Sequence, residues 1–184
     1  MKELKQVTIE GARILFRNFA GKQTPYNAEG KRNFCVVLPY DAADQMVRDG
    51  WNVKSLKPRE PDDEPTPYIQ VSVSYKNRPP KVALVTSKGK RFLDEDLVEL
   101  VDFVDIQYVD LILNPYAWDV NGKTGVKAYL KTIVVIVKED YLELKYADVQ
   151  EIDGPVMNAI EAGGDWIEGE VISEDWQPRK AISA

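Results

Sequence analysis

Histidine is absent from the 184 residues. With it go the commonest general base, the Ser-His and Cys-His nucleophile pairs and most zinc sites. Cysteine occurs once, at Cys35 inside the apolar run 34–38, so there is no disulfide framework and the thiol reads as buried and inert. No apolar run approaches the length that crosses a bilayer. The start, Met1-Lys2-Glu3-Leu4-Lys5, lacks the continuous apolar stretch of a secretory signal. These absences predict a soluble, cytoplasmic protein with no membrane segment. Carboxylate-only chemistry with magnesium survives the loss of histidine, on Asp94-Glu95-Asp96 or Asp62-Asp63-Glu64. Both clusters read instead as solvated acids, one at a helix start and one in a proline-rich loop. A binding protein is therefore expected rather than an enzyme, with no metal and no cofactor.

What is present is globular in composition, 44% hydrophobic and 29% charged. The net charge of -6 is unevenly placed: residues 1–92 hold 17 Lys+Arg against 10 Asp+Glu, and residues 93–184 hold 7 against 20. A chain that is +7 in one half and -13 in the other suits a basic binding face paired with an acidic tail.

Alternation identifies most of the strands. In residues 7–16 it slips by one at Gly11, the mark of a bulge that lets one long strand serve two sides of a small barrel. A polar loop over 17–31 leads to a strand at about 32–38. A short helix follows at 41–49, with Asp41 as its N-cap and Gly50 as its stop. Prolines 58, 61, 65 and 67 make an exposed, stiff loop. Residues 68–75 form the clearest strand, with Ile69, Val71, Val73 and Tyr75 on one face. Another strand at about 81–86 precedes a turn at 87–90, and residues 93–103 carry helical spacing. Two long strands, at about 104–114 and 126–137, are joined through Asn121-Gly122 and Gly125 by a loop longer than a minimal hairpin. About six strands with one or two short helices predict a β-rich, OB-fold-like small barrel over residues 1–148. Residues 149–184 read as an acidic, flexible tail. From 151 to 178 it has eight acids and no lysine or arginine, a Gly163-Gly164 break, and Trp166 and Trp176 as docking points.

Single strands are held by cations that track phosphates and by aromatic faces that stack bases, so aromatics interleaved with Lys and Arg are the pattern to seek. Arg17, Phe19, Tyr26 and Arg32 supply it around the first loop, Trp51, Lys54, Lys57 and Arg59 in the middle, and Tyr75 with Arg78 beside Pro79-Pro80. In the last strand Lys127, Tyr129 and Lys131 share a face opposite Val126, Ala128 and Leu130. Phe34 continues a core strand. Trp51, just after a helix-ending glycine, also suits a core lid, and Trp118 could cap the barrel. Lys127 and Lys131 could equally be a solvated face that protects an edge. Arg17, Lys54, Arg59, Arg78 and Lys127 are assigned to phosphates, and Phe19, Tyr26, Tyr75 and Tyr129 to bases.

Several of these segments together resemble a family. Arg17-Asn18-Phe19-Ala20-Gly21, Tyr26-Asn27, Glu29-Gly30, Arg32-Asn33-Phe34 and Gly50-Trp51-Asn52-Val53-Lys54 are similar to phage-encoded single-stranded DNA-binding proteins. Tyr75 with Arg78-Pro79-Pro80, Trp118 with Val120 and Gly122, and Gly125-Val126-Lys127-Ala128-Tyr129-Leu130 continue the likeness. The resemblance covers roughly residues 10–145. It implies an OB-like protein that coats strands exposed in phage replication or recombination and shields them from nucleases. Such proteins often end in an acidic tail tipped by an aromatic, which recruits replication or recombination partners and competes with DNA. This chain departs from that pattern, since Trp176 is followed by Pro178-Arg179-Lys180-Ala181-Ile182-Ser183-Ala184. Removing residues 151–184 is expected to tighten DNA binding at low salt if the acids compete. The rival reading is a phage or mobile-element inhibitor of a host nuclease, anti-CRISPR-like or a DNA mimic, which the acidic second half would suit. A homodimer formed by pairing of residues 126–137 as an edge strand is compatible with the sequence.

Overall fold

The structure, a computed structural model, describes residues 4–58, 60 and 62–149. The chain divides into two units, Met1–Leu144 and Lys145–Ala184. In the second, the described residues end in a turn closed by the Val149 amide donating to the Tyr146 carbonyl at 3.0 Å. The expected acidic tail otherwise lies outside the described residues. No helix of the described residues is long and apolar enough to cross a membrane.

The first unit is a β-rich sheet with nine strands among the described residues, more than the six expected: β1 (Val7–Ala12), β2 (Ile14–Asn18), β3 (Arg32–Val37), β4 (Val53–Leu56), β5 (Thr66–Val73), β6 (Lys81–Thr86), β7 (Gly89–Leu93), β8 (Ile106–Val120) and β9 (Lys123–Val137). Its main path runs β1-β8-β9-β5-β3-β2. The two ends of that path are consecutive in the chain, separated by Arg13 alone, so the sheet curls back on itself as an OB-like barrel does. Gly11 makes the bend. At φ +62 it occupies the left-handed region that glycine enters without penalty, and the pairing of β1 with β8 shifts register between Ile9 and Ala12. One long strand thus serves β8 with its first half and β3 with its second.

Helix α1 (Tyr40–Arg48) buries Ala43 and Met46. Its N-cap is Pro39 with no side-chain cap, and Asp41 sits in the first turn, where its charge still suits the positive helix end. Gly50, at φ +85 just past the C-cap Asp49, ends the helix as expected. Strand β4, which has no clear alternation in its four residues, is held by its pairing to β5. The helical spacing of 93–103 resolves differently: Leu93 closes β7, the Asp94 carboxylate accepts the Leu97 amide at 3.0 Å, and a 3-10 helix occupies Val98–Asp102. Val98 and Val101 are buried and Leu100 is exposed, so the apolar spacing serves a short turn and a strand end.

The loop between β8 and β9 is the minimal one. Asn121 (φ 54) and Gly122 (φ 74) are its two central residues, both left-handed as a type I′ turn demands, and Val120 pairs with Lys123. Fourteen pairs, that one included, run down the hairpin, with register shifts near Ile106 and near Ile112. Strand β9 is no edge: β8 lies on one side and β5 and β6 lie end to end on the other. Dimerisation by edge pairing through 126–137 is thereby excluded, because both sides of that strand already carry ladder hydrogen bonds. Inside the barrel Phe34, Ile69, Val71, Leu111, Leu113, Ala128, Ile133 and Val135 form a dry core with Phe19.

Candidate nucleic-acid interface

Register decides which side chains share the outer face. Asn33 of β3 pairs with Ser72 of β5, Ser72 with Tyr129 of β9, and Tyr129 with Asn114 of β8, one rung across four strands. The neighbouring rung, Phe34–Val71–Ala128–Pro115, has its first three members buried, so the first points outward. Further outward pairs are Lys127 with Tyr116, Trp118 with Gly125, Cys35 with Gln70, and Val37 with Tyr68 and Lys54. Burial pushes the Cys35 thiol up, an effect that the nearby Lys54 ammonium opposes.

On this face the aromatics are locked to one another. Tyr116 meets Tyr129 edge-on at 5.9 Å between ring centres, and the Lys127 ammonium lies 5.0 Å over the Tyr129 ring. The Trp118 ring lies flat over Gly125, where an added Cβ would stand 2.8 Å from the indole. Glycine is needed there for space, and the tryptophan covers the backbone that glycine leaves bare. Pro115, which cannot donate to a ladder, sits just beyond Leu113, where β1 stops pairing with β8.

The loop over 19–31 borders this face and is tied down by a series of hydrogen bonds. The Asp102 carboxylate accepts the amides of Phe19 and Ala20 at 2.9 and 2.8 Å. The Asn18 side chain clasps both the amide and the carbonyl of Lys22. Thr24 and Asn27 exchange backbone hydrogen bonds of 2.9 and 3.1 Å around Tyr26, which is 97% exposed. Asn33, a member of the outer rung, donates to the Asn27 Oδ1 at 2.6 Å and so ties the loop to the sheet.

Of the residues singled out from sequence, Tyr26, Lys54, Lys127 and Tyr129 are placed on or beside this face. Others have structural duties. Phe19 is fully buried and stacks on Phe34 at 5.0 Å, so it is a core residue and not a platform for bases. Trp51 is buried as well, the lid reading over the platform. Arg17 follows Phe16, whose φ of 50 kinks β2, and donates to the carbonyls of Val101 and Val104 at 2.8 Å each, bracing the 3-10 helix. Arg32 and Tyr75 continue the inward parity of Phe34 and Val73 to one end of the barrel. There Arg32 pairs with Glu95 at 2.6 Å and lies 5.3 Å over the Tyr75 ring. The Tyr75 phenol is pushed up to about 12, first by desolvation, with Arg32 opposing and Glu95 and Asp94 adding to the rise. Lys57 and Arg78 are exposed on connections away from the rung, and Arg59 lies outside the described residues. Lys131 sits at the β9 irregularity and donates to Gln6 at 2.9 Å.

Sequence reasoning passed over Tyr116, which is 58% exposed, and assigned Trp118 to a barrel cap. The signal was available in Asn121-Gly122: a minimal turn there sets Tyr116 and Trp118 on the face of Lys127 and Tyr129. Phe103, exposed with the Lys22 ammonium 5.4 Å from its ring, was also missed.

A sheet curled into an OB-like barrel, with aromatics and lysines interleaved across its outer face, has the architecture that single-strand-binding domains use. The chain belongs to the family described as "Putative phage ssDNA-binding domain", whose model matches residues 1–177. It is therefore a phage-type single-stranded DNA-binding domain. Among solved structures it is similar to the single-stranded DNA-binding protein from bacteriophage Enc34 in complex with ssDNA. The identity is 10%, the match covers 73% of this chain and 88% of that one, and the TM-score is 0.51. The C-terminally truncated form of the same Enc34 protein matches at 11% identity over 73% and 87%, with a TM-score of 0.49. The bacteriophage T7 single-stranded DNA-binding protein gp2.5 matches at 16% identity over 82% and 97%, with a TM-score of 0.39. No curated protein matches the sequence.

Proposed function

We propose that the strand is bound without sequence preference across the outer face of β3, β5, β9 and β8, between the 19–31 loop and the β8–β9 hairpin. Bases stack on Tyr26, Tyr116, Trp118 and Tyr129, and phosphates meet Lys54 and Lys127, with Lys57 and Arg78 extending the positive surface. The observation that carries this reading is the outward rung Asn33–Ser72–Tyr129–Asn114, flanked by Lys127 and Tyr116. Base–aromatic stacking tolerates any sequence because every base has a π-face. The role is coating and protection of strands during phage replication and recombination in the host cytoplasm, with no catalysis. Residues 1–148 carry the binding and residues 149–184 form a separate acidic segment.

Fluorescence anisotropy with labelled oligo-dT and a duplex of equal length, at low and moderate salt, tests this. Expected is strand-selective binding that weakens with salt, and a salt slope that falls by about 0.7 in Lys127→Ala, one phosphate contact's share. Equal binding to duplex, or no binding at low salt, would sink the reading and favour a protein target such as a host nuclease.

A further inference from the structure

Strand β9 changes character along its length. Through Lys131 polar and apolar residues alternate, whereas Ile133-Val134-Val135-Ile136-Val137 is apolar without a break. An antiparallel sheet with one face in water alternates, and a continuous apolar run belongs to a strand covered on both faces. Ile133 and Val135 fill the core, which leaves Val134 and Ile136 pointing out. Two rungs lie on this outward side, Phe92–Ala83–Val134–Asp110 and Lys90–Val85–Ile136–Tyr108, each crossing β7, β6, β9 and β8, with Ala83 itself buried and its neighbours forming the surface. Phe92 is 62% exposed and Tyr108 38%. Contiguous outward apolar residues of this kind mark an interaction surface.

The charges on its borders select the partner. Lys90, its ammonium 5.0 Å over the Phe92 ring, stands at the β7 border. At the opposite border Asp110 of β8 is fixed by the Gly11 amide at 2.8 Å, and exposed Glu10 of β1 follows Ile9 onto the outward side. Along the curled sheet the two borders are separated by β6, β9 and β8. We infer that a second copy of this chain packs on this apolar sheet face, with Lys90 of each copy facing Glu10 and Asp110 of the other. A two-fold axis running along β9 in the plane of contact brings the basic border onto the acidic one. An axis across the strands would set Lys90 against Lys90 and is disfavoured. The sheets then pack with their strands nearly aligned, about 10 Å apart. The Tyr116 and Tyr129 end of the hairpin stays open, so this inference does not rest on the path proposed for DNA.

Sedimentation velocity of the full chain without DNA, over a range of concentrations, is the test. Expected is a dimer that dissociates on dilution and is lost in Phe92→Glu, a substitution at an exposed site that leaves the core intact. Lys90→Glu and Glu10→Lys each weaken the dimer by about tenfold or more, and the double variant restores it, because reversing both charges recreates the pair. A wild-type chain that stays monomeric, a dimer indifferent to Phe92→Glu, or single reversals that the double variant does not rescue would each overturn the inference. Oligo-dT affinity of Phe92→Glu, expected to be unchanged, separates a failure here from a failure of the strand-binding reading.

Discussion

Two aromatic pairs occupy opposite sides of one sheet. Phe19 and Phe34 lie stacked, 15° from parallel, and both are fully buried. Tyr116 and Tyr129 meet at 78° on the outer face beside a lysine. Phe34 and Tyr129 belong to adjacent rungs, one residue of register apart. In sequence the two settings look alike, each an aromatic with a cation close by: Arg17 near Phe19, Lys127 near Tyr129. The pleat separates them. It turns Phe34 inward and Tyr129 outward, and the cation of the inner pair is consumed in bracing a 3-10 helix. Interleaving of aromatics and cations is therefore a sign of strand binding only where parity is known.

Truncation of each pair sharpens the contrast. The largest effect is expected from Phe19→Ala, a loss of about 3–5 kcal/mol of unfolding free energy in urea, with oligo-dT affinity of the folded fraction unchanged. Affinity lost without stability would return Phe19 to the binding face. Tyr116→Ala combined with Tyr129→Ala should do the reverse: about a hundredfold weaker oligo-dT binding, from about 1–3 kcal/mol per stacked base, with little change in melting temperature. A smaller loss of affinity, about tenfold, is expected for Gly125→Ala, whose Cβ would stand 2.8 Å from the Trp118 ring and displace it from its platform. Unaltered binding in that variant would remove Trp118 from the strand path.

The smallest effect concerns Tyr75, whose hydroxyl is buried without a hydrogen-bond partner. Its phenol titrates at about 12 when folded, above the ordinary tyrosine value of about 10. The unfolded chain therefore loses this proton first, so the stability linked to it is complete below about pH 10 and drains away towards pH 12. Tyr75→Phe should flatten unfolding free energy over that interval; an unchanged slope would show that other groups set it.

Much of the fold was legible because its signals are local. The slip in alternation at Gly11, the parity of β5, the Gly50 stop and the span of β6 are each visible within a few residues. What escaped depended on partners distant in sequence. Strand β4 has no pattern of its own and exists because β5 is beside it. Residues 93–103 have helical spacing, yet β6 claims Leu93 as a strand partner and only Val98–Asp102 coil. The proposed binding face was half visible: Tyr26, Lys54, Lys127 and Tyr129 were singled out from sequence, whereas placing Tyr116 and Trp118 beside them needed the register that a two-residue turn imposes. Arg17 and Phe19 were misread because no local signal reveals that Val101, Phe34 and the core surround them, whereas the glycine before Trp51 did point to its buried place.

The bent first strand sets a timetable for assembly. Val7 and Ile9 are made before their partners Leu113 and Leu111, which lie about a hundred residues downstream. No barrel can shut before β8 has been made, whereas the β8–β9 hairpin needs only its own neighbours and can form within microseconds. The growing chain must hold β1 unpaired throughout, and its exposed Thr8 and Glu10 keep that waiting edge poorly suited to pairing with strangers.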